Sequence, residues 1–135
     1  MEKYQVEKDI KVFYVKADSF PNGVRPAWEK LHSFFAEPMK RKYYGISFPD
    51  KTGAIIYWAA TEEAVEGEAA KYGCETFLIK KGTYISLLIR DFMKDIPSIG
   101  RAFQELTRQP GIDPEGVCVE IYETMNDVRC MVRLK

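Results

Sequence analysis

Glu120 and Tyr122 stand two residues apart in an apolar, strand-like run from Val117 to Glu123. Side chains two apart on a strand point the same way, so a carboxylate and a phenol share one face. Trp58, Tyr43, Phe92 and Met131 offer further broad or polarisable apolar surface, and Arg90 offers a charge. An acid among flat rings suits a lipophilic or cationic small molecule. Ring faces attract cations by about 0.5 to 2 kcal/mol each, and a carboxylate drawn out of water is stabilised by a cationic partner. The same residues also suit a second chemistry, since a carboxylate in an enclosed site can act as general base on water. A third reading is open from the pattern alone, in which Glu120 pairs with Arg90 or Arg133 and decorates an open sheet.

Other chemistries lack residues. His32 is the sole histidine and has no Cys-x-x-Cys or His-x-x-x-His spacing beside it, so no metal site is expected. Cys74, Cys118 and Cys130 are odd in number and set in apolar surroundings, which suits buried reduced thiols. No Gly-x-Ser-x-Gly, phosphate-loop or Gly-x-Gly-x-x-Gly run occurs. No cofactor is expected.

Twenty basic side chains balance twenty acidic ones, leaving no net field for a phosphate backbone or an anionic lipid surface. Direct nucleic-acid binding and membrane association are therefore not expected. The charged start Met1-Glu2-Lys3 and the absence of a long apolar run give an expectation of a cytoplasmic protein, monomer or homodimer, with a protein partner left open. At 135 residues and 46% hydrophobic, the chain suits a single domain spanning 1–135.

The elements that must position these residues come in two similar sets. Slid along itself so that Val12 falls on Leu87, the chain also sets Ala27, Trp28 and Leu31 on Ala102, Phe103 and Leu106. Each half reads as two strands, a helix and a hairpin. Tyr4 to Val6 and Val12 to Ala17 are joined by a polar turn near Lys8. Val24, Ala27, Trp28, Leu31 and Phe35 form a helix stripe, and Tyr43 to Phe48 and Ala54 to Ala60 flank the turn at Asp50 to Gly53. The second half runs through Thr76 to Lys80, a turn at Lys81-Gly82 and Tyr84 to Arg90. Its helix carries Ile99, Ala102, Phe103 and Leu106, with Asp95 or Ser98 as N-cap, and the hairpin of Val117 to Glu123 with Val128 to Leu134 follows.

The expected modules are residues 1–60 and 73–135, about a solvated acidic connector at 61–72. The expected fold is α+β: duplicated β-α-β-β modules with pseudo-twofold symmetry, a curved antiparallel sheet of about eight strands, and both helices on one face. Val119, Ile121, Cys130, Val132 and Leu134 are assigned to the helix-covered side. Cys118, Glu120, Tyr122, Arg129, Met131 and Arg133 go to the other, with Tyr43, Gly45, Ser47, Ile56 and Trp58 as first-half counterparts.

The duplicated order, the Tyr44-Gly45 strand, the Ala54 to Ala60 strand and Val119-Glu120-Ile121-Tyr122 near the carboxyl end resemble the GyrI-like family. That family includes the effector-binding domains fused to AraC-type and MerR-type transcription regulators, and its fold is related to that of SOUL haem-binding proteins. The resemblance implies a stand-alone domain that binds lipophilic, often cationic, compounds in an aromatic groove with a central glutamate. By position it implies Glu120 as the glutamate, Tyr122 as the tyrosine of its Glu-x-Tyr strand, Trp58 and Tyr43 or Tyr44 as first-half aromatics, with strand parity favouring Tyr43, and Phe92 and Arg90 lining the second half. It also implies two alternatives: a hydrolase that opens strained rings in genotoxic compounds with Glu120, and a gyrase-inhibitor-like protein-interaction module. Against SOUL proteins, His32 reads as a packing residue and not as a haem ligand.

Overall fold

The computed structural model describes residues 1–135. Its eight strands are β1 (Glu2–Val6), β2 (Ile10–Lys16), β3 (Tyr43–Pro49), β4 (Ile55–Glu62), β5 (Glu75–Ile79), β6 (Gly82–Ile89), β7 (Cys118–Tyr122) and β8 (Val128–Arg133). The helices are α1 (Val24–Ser33), α2 (Glu68–Lys71) and α3 (Pro97–Leu106). The α+β class stands, with antiparallel strand pairing. Two compact units divide the chain: a continuous one, Asp9–Ile79, and a split one, Met1–Lys8 with Lys80–Lys135.

The continuous unit orders its strands β3-β4-β2-β5. Asp50 builds the β3–β4 turn. Its Oδ1 accepts from the Thr52 amide at 2.8 Å and the Thr52 hydroxyl at 2.6 Å, and Gly53 takes the left-handed φ of 89° that the turn needs. Helix α1 buries Ala27 and Leu31 against Phe13, Tyr57 and Ala59, as its three-and-four spacing requires. Gly23, just before that helix, has no room for a side chain. A β-carbon there would lie 2.6 Å from the Ser19 amide nitrogen.

The split unit orders its strands β1-β6-β8-β7. Ala102 and Leu106 of α3 pack on Val128, Cys130 and Val132. Neither expected side-chain cap forms at this helix. Ile96 takes the N-cap place with helical backbone and no side-chain cap, Asp95 pairs with Arg101, and the Ser98 amide donates to the Asp95 carbonyl at 3.0 Å.

Strand partners differ from simple succession. β1 pairs with β6, Glu2 opposite Ser86 through Val6 opposite Gly82, and β2 pairs with β5, Ile10 opposite Ile79 through Tyr14 opposite Glu75. The polar turns after β1 and after β5 therefore connect strands that pair elsewhere. Glu7-Lys8-Asp9 holds no Gly or Asn to supply the positive φ of a tight two-residue turn.

The stretch after β4 is also more ordered than a solvated connector. Glu68 opens α2 and receives the Arg41 guanidinium in a two-pronged bond, Nη1 to Oε2 at 2.8 Å and Nη2 to Oε1 at 2.7 Å. Arg41 also donates to the Glu62 carbonyl at 3.0 Å and lies 4.1 Å from the Phe35 ring centroid. Ala69 is buried behind the pair.

Candidate functional site

Register fixes which way Glu120 points. β7 and β8 set Cys118 opposite Val132, Glu120 opposite Cys130 and Tyr122 opposite Val128, and directly paired residues share a face. Cys130, Val132 and Val128 pack with α3, as do Cys118 and Tyr122. Glu120 thus lies on the helix-covered side, and Val119, Ile121, Arg129 and Met131 lie on the other. This corrects the expected division, which read each strand's polarity separately and so set β7 one residue out of step with β8.

Only 5% of Glu120 is exposed. The Tyr122 hydroxyl donates to its Oε1, a contact that follows from their two-residue spacing. The Phe92 ring stands edge-on to Tyr122, centroids 5.5 Å apart at 83°. Phe92 belongs to no strand. It follows Asp91, whose φ of 53° is unusual for a residue with a β-carbon, in a turn where the Phe92 amide donates to the Asn126 carbonyl at 3.0 Å. That turn directs Phe92 into the core and leaves Arg90 outside, 76% exposed and 3.7 Å from Asp127. Cys130, opposite Glu120, has its thiol pKa pushed well up, by burial first and by the Glu120 charge second. Glu120, Tyr122 and Phe92 are therefore brought together, whereas Arg90 is on the surface and Met131 is fully buried on the opposite face.

In the continuous unit, Tyr43 and Trp58 do not share a face. Tyr43 packs beside α1, its ring 5.8 Å from Trp28 and 4.8 Å from His32. Its hydroxyl donates to the Pro38 carbonyl at 2.7 Å, and burial, partly offset by the Arg41 charge, raises its pKa. Trp58 lies opposite Ile46 on the side away from α1, stacked on Tyr14 at 3.9 Å. The pairing of Ile46 with Trp58 rules out Tyr43 and Trp58 on one side, because Ile46 is an odd number of residues from Tyr43.

Sequence reasoning passed over a helix-side cluster in this unit. The Trp28 indole donates to the Tyr57 hydroxyl at 3.1 Å, and Phe20, 47% exposed, lies across Tyr57 at 6.1 Å. Trp28 reads as an ordinary core position in a helix stripe, and Tyr57 is separable from Trp58 only once register is known. His32 sits in this cluster, with its pKa lowered by burial. No group of three or more His, Cys, Asp or Glu residues could hold a metal ion. No helix is long and apolar enough to cross a membrane.

No protein-family model matches the sequence, and no match is found among curated proteins. Solved structures do match in fold. An integron cassette protein from the mobile metagenome of Vibrio cholerae superposes with a TM-score of 0.71 at 14% identity, covering 99% of this chain and 95% of that one. SAV2435 bound to tetraphenylphosphonium gives 0.65 at 9% identity, with 99% and 93% covered. A hydrolase from Listeria innocua gives 0.56 at 9% identity, with 99% and 90% covered. At these identities the likeness is one of fold.

Proposed function

We propose that this chain is a GyrI-like small-molecule-binding protein, and that Glu120, with Tyr122 and Phe92, meets a lipophilic cation. The observation that carries this reading is a carboxylate withdrawn from water on a strand, accepting the hydroxyl of a tyrosine whose ring meets Phe92 edge-on. Drawing a carboxylate out of water is unfavourable by several kcal/mol unless hydrogen bonds and a positive charge compensate. Tyr122 supplies one such hydrogen bond. In this reading a bound cation adds a favourable charge contact, and ring faces add to its binding. The tetraphenylphosphonium-bound neighbour of the same fold supports this ligand class.

Arg90 and Met131 are not proposed as contacts, given their positions in the split unit. Tyr43 and Trp58 stand on opposite faces of the continuous unit and are not proposed as contacts of this ligand.

Calorimetry with tetraphenylphosphonium tests the reading against triphenylphosphine oxide, a neutral compound with three of the same rings. The cation is expected to bind and stabilise the fold. In Glu120→Gln its affinity should drop about tenfold or more, the scale of a desolvated charge contact, while the oxide is little affected. Equal affinity for both compounds, or an unchanged cation affinity in the variant, would refute the charge role.

The hydrolase of similar fold gives the alternative a foothold. There Glu120 would direct a water molecule at a strained ring. Consumption of such a compound by wild type but not by Glu120→Gln distinguishes hydrolysis from binding.

A further inference from the structure

Trp58 lines a cavity of the continuous unit. β2 runs on to Lys16, but β5 begins at Glu75, opposite Tyr14. Val15 and Lys16 thus have no β5 partner, and the sheet edge opens there into a notch of about 610 Å³, within the size range of small-molecule sites.

One wall is a ring cluster on the face away from α1. Trp58 lies nearly parallel to Tyr14 at 10° and meets the edges of Phe48 at 4.9 Å and Phe77 at 5.4 Å. The other wall is Phe34 stacked on Tyr72, 4.9 Å apart and 9° from parallel. Ring contacts hold each of these side chains in place before any ligand arrives.

The charges in the notch favour an anion. Lys16 and Lys30 line it, and neither belongs to any of the chain's ion pairs. Glu75 is the acid present, and its carboxylate accepts the Tyr14 hydroxyl at 2.9 Å. Burial, followed by that carboxylate, pushes the Tyr14 pKa up to about 12, so the phenol remains a donor to Glu75 at neutral pH. Two ammonium groups face one carboxylate already in use.

We propose that this notch binds a small aromatic anion, an arenecarboxylate, with its ring between the Trp58 and Phe34 walls and its carboxylate met by Lys16 and Lys30. The ligand differs in charge from the one assigned to Glu120, and the site lies wholly within the continuous unit.

NMR amide titration of the full chain with 2-naphthoate tests it, with 2-naphthylmethylammonium and 2-naphthalenemethanol as charge controls. Saturable shifts are expected at Val15, Lys16, Gly73, Cys74 and the Trp58 indole, larger for the carboxylate than for either control. Both lysines are exposed, so Lys16→Met and Lys30→Met should fold normally. Each is expected to weaken naphthoate binding about two- to fivefold, the scale of one solvent-accessible charge contact, and the double variant should weaken it further. Glu120→Gln is expected to leave it unchanged. Shifts that do not saturate at millimolar naphthoate, equal shifts with the ammonium compound, or undiminished binding in the double lysine variant would each overturn the proposal.

Discussion

Two glutamates on the helix-bearing sides of their units are both largely withdrawn from water, and they are held in different ways. Glu68 is 10% exposed at its side chain and grips Arg41, itself 16% exposed, through two bonds with complementary geometry. Glu120 is 5% exposed and accepts the hydroxyl of Tyr122. A guanidinium cancels the charge it meets and commits the pair to structure, as the Arg41 bonds to Thr61 and the Glu62 carbonyl confirm. A phenol orients the carboxylate it meets but carries no positive charge itself. The donors Arg41 and Tyr122 thus differ in charge.

Breaking the structural pair should have the largest effect. Arg41→Ala is expected to destabilise the fold by about 2 to 4 kcal/mol, because it strands a carboxylate in a poorly hydrated place, as chemical denaturation would measure. A loss below about 0.5 kcal/mol would place the pair among surface ion pairs of little worth. Glu120→Gln should change stability far less than Arg41→Ala while weakening cation binding about tenfold or more, so that the two acids separate into one that holds the fold and one that holds ligand.

The pH dependence sharpens the contrast. The Arg41 hydrogen bond holds the Glu68 pKa below its ordinary 4.5 in the folded chain. The unfolded chain therefore takes up this proton first as pH falls, so the stabilisation is complete above about 4.5 and is lost as acid drives the folded group through its lowered pKa. Unfolding free energy measured from pH 6 to 3 should drop more steeply in wild type than in Arg41→Met. Parallel profiles would remove Glu68 from the acid response.

A smaller effect is expected for Tyr122→Phe, which deletes one donor to Glu120. Stability should fall by about 1 kcal/mol, the net value of one such bond, and cation affinity by a few-fold. Smallest is a difference among thiols. Cys130, buried and with its pKa raised, should react with a thiol reagent after the half-buried Cys74 and Cys118.

Much of the frame was legible in the residues. The stripes of Ala27 with Leu31 and Ala102 with Leu106 mark helices because three-and-four spacing has one physical solution, and Asp50 to Gly53 marks a turn because its residues build one. The faces of the strands were not legible in the same way. Period-two alternation states which residues of a strand lie together but not which side they take, and β7 carries apolar residues on both sides. Only the pairing of Glu120 with Cys130 settles the matter. Trp58 illustrates the same limit, since its neighbour Tyr57 is equally aromatic and only the opposition of Ile46 separates their roles. The partners of β1 and β5 depend on contacts distant in sequence, to which local turn chemistry is blind.

That exchange of partners has a bearing on synthesis. Residues 9–79 form a contiguous unit, whose last strand pairs with its first, so it can close while the chain is still growing. Strand Glu2–Val6 is made before that unit, yet its mate, Gly82–Ile89, follows only after the whole unit has been made. Removing the first eight residues would strip one edge of β6, exposing a bare strand border that invites association between molecules.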